Sequence, residues 1–205
     1  MTAFTPQEQQ RIKDTVAKVE LTTSGEIVPI ILPQADSYTA TSCRVGALIA
    51  LAVTTFASWW HPELAYWSIA LTLIGSFILA TLLLRALPGV RRYCIGREEI
   101  NFRVEEQALA SFVRHGLHHT RDATGILILV CMFERRVQVL ADRGINEKVA
   151  QQQWDDIVLT ITSGLKSGNS CDALCSAIEK CGALVAPHFK RRTDDTNELP
   201  DLIHH

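Results

Sequence analysis

VGALIALAVTTFASWWHPELAYWSIALTLIGSFILATLLL, from Val45 to Leu84, holds a single formally charged residue, Glu63. The uncharged part from Leu64 to Leu84 would reach about 31 Å as a helix, close to the thickness of a bilayer's hydrocarbon core. The preceding run, Val45–Trp60, is shorter, but it gains spanning length by taking in Ala40 to Arg44 with Arg44 snorkelling to the surface. Pro62 breaks the helix between them. The reading is therefore a transmembrane hairpin over residues 40–85, with helices at 40–60 and 64–84. Gly75 and Ser76 are the expected points of close helix approach.

Charges on either side give the hairpin a direction. Trp59, Trp60, Tyr66 and Trp67 cluster at the tight turn as an interfacial belt would, while Arg44, Arg85, Arg91, Arg92 and Arg97 gather at the opposite end. By the positive-inside rule the arginine end lies in the cytoplasm and the turn outside. No basic start, apolar run and cleavage site opens the sequence, so the expectation is a multi-pass protein of the bacterial cytoplasmic (inner) membrane with both termini cytoplasmic.

The remainder of the 205 residues has room for one domain, split by the hairpin. Thr5-Pro6-Gln7-Glu8 has the form of a capping box with proline at the first helical position, followed by Ile12, Val16 and Val19 on one face. Glu26–Leu32 is a short β-branched strand whose Pro29 favours an edge. After the hairpin, Arg97 to His119 has helical spacing. Ile126–Phe133 is an apolar strand that turns at Glu134-Arg135 into Arg136–Leu140. Asn146 caps a turn at Glu147–Val149, Trp154–Leu165 is helical, and Ser170 caps a last helix running to Phe189. The domain segments are thus 1–39 and 86–192, with a polar, loosely held tail at 193–205.

Net charge of −2 and a pI near 6.4 lack the basic field of a dedicated nucleic-acid binder, so no nucleic-acid partner is expected. Six cysteines show neither a secreted framework nor a CxxC pair and read as reduced thiols. Cys171 and Cys175 share a helix face as core residues.

Three segments, Thr23-Ser24-Gly25-Glu26-Ile27-Val28, Thr124-Gly125-Ile126-Leu127-Ile128 and Glu134-Arg135-Arg136-Val137-Gln138-Val139-Leu140-Ala141-Asp142-Arg143-Gly144-Ile145, together resemble the TPM domain family. The hairpin and the tail Asn197-Glu198-Leu199-Pro200-Asp201 look like that family's bacterial membrane branch. The resemblance implies an α/β/α sandwich interrupted by the two-helix transmembrane hairpin. It also implies a LemA-type membrane protein as a partner beside the lipid bilayer.

Some members of that family are described as acid phosphatases or as binding calcium through aspartates, and the matching position here is Asp142. This chain departs from the pattern at Phe4-Thr5-Pro6-Gln7, where the family often carries an acidic loop. That removes oxygen ligands from a hard-cation site. Asp122 and Glu26 are the other carboxylate candidates. His115, His118 and His119 have i, i+3, i+4 spacing and are a second metal candidate. The plainer readings are a strand-end turn with a local ion pair for Asp142-Arg143, helix-terminal histidines, and a solvated helix face for Asp155-Asp156. No Cys-x5-Arg, Asp-x-Asp, Gly-x-Ser-x-Gly or phosphate-cradling glycine loop appears. The expectation is a non-enzymatic accessory protein of a larger membrane complex, needing no cofactor, with a membrane-tethered phosphatase or metal-dependent hydrolase as the alternative.

Overall fold

A computed structural model of the chain describes residues 4–63, 65–191 and 202–204. The fold is mixed α/β and mostly helical, and it divides into two compact units: residues 1–35 with 101–205, and residues 36–100.

In the first unit, helix α1 (Pro6–Glu20) starts at the expected box. Thr5 Oγ1 accepts from the Glu8 N–H at 3.3 Å, and the Thr5 N–H donates to Glu8 Oε2 at 2.7 Å. Strand β1 (Glu26–Leu32) pairs parallel with β2 (Gly125–Cys131), and β2 pairs antiparallel with β3 (Arg136–Ala141). A two-residue strand, β4 (Ile203–His204), runs parallel to β1 at Ile30 and Ile31, giving the order β3-β2-β1-β4. This corrects the reading of the tail as wholly loose: its end adds to the sheet. Arg192, the tail through residue 201 and the family-like Asn197–Asp201 segment lie outside the described residues, as do Leu64 and His205.

Pro29 is accommodated by the direction of its neighbours' backbone groups. The Glu26 N–H points to β2, donating to Thr124 O at 3.1 Å, so the alternate residues Ile27, Pro29 and Ile31 face the outer edge. There Ile27 N–H donates to Glu20 Oε1 at 3.1 Å, and β4 covers only Ile30 and Ile31. A missing N–H at position 29 costs the ladder nothing.

Helices α7 (Gln151–Ser167) and α8 (Ser170–Val185) pack together, with α8 also against α1. Ile12 and Val16 of α1, Ile157 and Ile161 of α7, and Leu174, Cys175, Ile178 and Cys181 of α8 form one core with Ile27, Ile31, Ile126 and Ile128 of the sheet. The alternate strand residues Val28, Ile30, Leu127 and Leu129 are also buried, so the sheet is covered on both sides. Asn169, not Ser170, is the residue at the start of α8, and that helix ends at Val185.

The second unit contains α2 (Thr39–Trp60), α3 (Tyr66–Ala86) and a short helix the sequence reading missed, α4 (Pro88–Cys94). Both long helices are long and apolar enough to cross a membrane. They pack as an antiparallel hairpin along Gly46, Ala50 and Thr54 of α2 and Ala80 and Leu84 of α3. The close approach falls at Gly46, which meets Phe77 and Thr81. Gly75 has nothing near it, and Ser76 donates to Thr72 O instead. The hydroxyls of Thr55, Ser68, Thr72, Ser76 and Thr81 likewise bond to carbonyls three or four residues back. Helix α5 (Arg97–Arg114) follows.

Candidate functional site at one end of the sheet

Because β1 and β2 are parallel and β3 is antiparallel to β2, Glu26, Gly125 and the residue after β3, Asp142, come to the same end of the sheet. Backbone bonds fix them there: Glu26 N–H to Thr124 O, and Asp142 N–H to Gly125 O at 2.9 Å. The hydroxyl residues of the quoted motifs complete the stitching. Thr124 Oγ1 donates to Ser24 O at 2.9 Å, Thr120 Oγ1 accepts from the Thr124 N–H at 2.9 Å, and Thr23 Oγ1 donates to Phe189 O at 2.7 Å. In Thr-Ser-Gly-Glu and Thr-Gly-Ile-Leu-Ile, then, the polar side chains tie loops to strands.

Asp142 opens a short helix, α6 (Arg143–Asn146), its Oδ1 accepting from the Arg143 N–H at 2.6 Å. The capping residue is therefore Asp142, four positions before the expected cap Asn146, whose side chain instead donates to Ala141 O at 2.6 Å. The expected ion pair with Arg143 is replaced by Arg143 Nε to Glu147 Oε1 at 3.6 Å, between exposed side chains. Asp142 Oδ2 is buried with no hydrogen-bond partner among the described residues. Gly144 lies over the turn before β2, where an added Cβ would sit 2.7 Å from Asp122 O and 2.8 Å from Ala123 O.

The fold thus collects Glu26, Asp122 and Asp142 at one sheet end without converging their carboxylates. Glu26 is buried, Asp122 is exposed, and Asp142 faces its own helix terminus. The histidine segment departs from a regular helix. α5 stops at Arg114 instead of His119, Gly116 takes the left-handed conformation at φ 72°, and Leu117–His119 forms a 3-10 turn. The His118 and His119 rings lie 3.8 Å apart between centroids, tilted by 43°, and His115 precedes the break. Among the described residues no group of three His, Cys, Asp or Glu side chains is placed to hold a metal.

At the opposite end of the sheet stands a residue the sequence reading assigned only to a turn. Glu134 is fully buried, and its Oε1 accepts from the Ala35 N–H at 2.9 Å. Met132 and Phe133 N–H groups donate to Leu32 O and Pro33 O, so the chain leaving β1 is fastened to the β2–β3 turn. Burial, with Glu134 adding to it, pushes the Cys131 thiol up to about 12. A charged residue in a tight turn normally reads as solvated, and only the returning Pro33–Ala35 segment shows otherwise.

These features define a mixed α/β domain with a small sheet, interrupted in sequence by a long apolar helical hairpin. Residues 96–184 match the family model described as the TPM domain, so the chain carries that domain over this span. The NMR structure of BA42 protein from the psychrophilic bacterium Bizionia argentinensis has a similar fold, with a TM-score of 0.61 and 21% identity over 98% of this chain and 95% of that one. No curated protein matches the chain in sequence. The domain match leaves out α1 and β1, yet both belong to the same compact unit as residues 101–184 of the matched span.

Proposed function

We propose that the chain is an inner-membrane protein anchored by the α2–α3 hairpin, with its TPM-like domain, an α/β/α sandwich, on the cytoplasmic side. Its role is that of a non-enzymatic accessory subunit, and the family resemblance nominates a LemA-type membrane protein as partner. The observation that carries the reading is the surface of the hairpin. Leu48, Leu51, Phe56, Leu71, Ile74, Ile78, Leu79 and Leu82 all face outward, and only 28% of the best window in α2 and 11% of that in α3 is buried. A core helix of a soluble protein buries such residues, whereas lipid solvates them. The backbone-bonded hydroxyls of Thr55 in α2 and of Ser68, Thr72, Ser76 and Thr81 in α3 suit the same surroundings.

Purification of the native protein in mild detergent, followed by mass spectrometry of what accompanies it, tests the role. A stoichiometric membrane partner is the expected result, and a solitary chain overturns it. The alternative, a membrane-tethered acid phosphatase or metal-dependent hydrolase, draws on one observation, the buried Asp142 Oδ2 with no hydrogen-bond partner among the described residues. Divalent-cation-dependent phosphoester hydrolysis lost in Asp142→Asn would favour it.

A further inference from the structure

We propose that α4 is a membrane-surface element whose Leu87-Val90-Tyr93 ridge docks into the headgroup region of an anionic leaflet. The inference rests on the hairpin reading above and deepens it by naming a lipid. Helix α4 begins immediately after α3 ends, with only Leu87 between them, at the arginine-rich end of the hairpin. Its inner side packs on α2 and α3. Val90 and Tyr93, three residues apart in α4, share a side of that helix, and Leu87 precedes it; they are 50%, 95% and 50% exposed.

Charge decides the kind of partner. From Arg85 to Arg97 the chain carries Arg85, Arg91, Arg92 and Arg97 and no carboxylate, and Arg85 and Arg97 are exposed. An apolar ridge ending in a tyrosine suits the boundary between acyl chains and headgroups, and arginines close by suit lipid phosphates. Continuity with two helices of bilayer length places the ridge where such a surface would be. A protein partner would have to complement the exposed Arg85 and Arg97 and an apolar ridge at the lipid boundary, which the leaflet does without further features.

The test uses the full chain in nanodiscs of phosphatidylglycerol with phosphatidylcholine, or of phosphatidylcholine alone. A spin label is placed at Val90→Cys in a Cys43→Ser, Cys94→Ser background, and a second sample carries the label at Ile74→Cys. In phosphatidylglycerol discs the Val90 label should lie about 5–10 Å below the phosphates, accessible to oxygen and shielded from an aqueous nickel reagent. It should become aqueous in phosphatidylcholine discs, and in both discs when Arg85→Gln and Arg97→Gln are added. A Val90 label that is aqueous in both discs, equally deep in both, or shielded from both reagents as by a protein overturns the proposal. If Ile74 still reports mid-bilayer depth, only the α4 proposal falls. An aqueous Ile74 overturns the hairpin reading as well.

Discussion

The carboxylate of Glu134 accepts a 2.9 Å hydrogen bond from the Ala35 N–H while its other oxygen is buried with no hydrogen-bond partner among the described residues. This contact adds to the Met132 and Phe133 N–H bonds in linking the β2–β3 turn to the segment that leaves β1 for the hairpin, and a hydrogen bond of this kind is worth about 0.5–1.5 kcal/mol. Glu134→Ala should therefore destabilise the α/β unit by about 1 kcal/mol, since the Ala35 N–H loses its acceptor. Glu134→Gln keeps the acceptor and should cost less than alanine. Urea denaturation in mild detergent checks the order, and equal stability of the two variants would refute the tether.

Asp142 is predicted to behave as a helix cap. Replacing such a cap by alanine costs roughly 1 kcal/mol, whereas asparagine serves nearly as well. Asp142→Asn should leave the denaturation midpoint almost unchanged, and a large loss of stability in that variant would point instead to a required charge.

Gly144→Ala places a methyl group against two backbone carbonyls that have no rotamer by which to escape. Overpacking of this kind typically costs about 1–3 kcal/mol. Thermal unfolding should show the loss, and an unchanged transition would mean that the turn before β2 yields easily.

Burial pushes the thiols of Cys131 and Cys181 up to about 12. An unfolded thiol ionises near 8.5, so the folded state holds protons that the unfolded state releases between these values. The stability contributed is fully present below about 8.5 and is lost as pH rises through about 12. Denaturation midpoints should fall on going from pH 8 to pH 10.5, and Cys181→Ala should flatten that fall. A slope unaffected by the substitution would assign the alkaline loss to other groups.

At the other end of the pH scale, the Thr5 N–H and hydroxyl hold the Glu8 carboxyl below its usual range. The box therefore stabilises the fold above about pH 4.3 and loses that contribution as pH falls through the depressed folded value. Thr5→Ala should lower stability by roughly 1 kcal/mol at neutral pH and by less under acid, measured by denaturation at both. The same difference at both pH values would refute the coupling.

Local rules in the sequence determined the apolar hairpin, the capping box, the β2–β3 pairing and the apolar faces of α1, α7 and α8, because each follows from periodicity, a proline or a charge within a few residues. Tertiary structure decided what depended on distant chain. Ile203 and His204 add to β1 across the whole sequence, where two residues carry no strand signal of their own. Pro29 is tolerated because its missing N–H faces an edge that β4 covers only in part. The candidate acids reach one sheet end through strand direction, where Asp142 turns to cap its own helix, and a left-handed Gly116 ends the regular helix that the histidine spacing assumed. Spacing reports which residues can share a face. Only packing fixes where a helix stops and which way a carboxylate points.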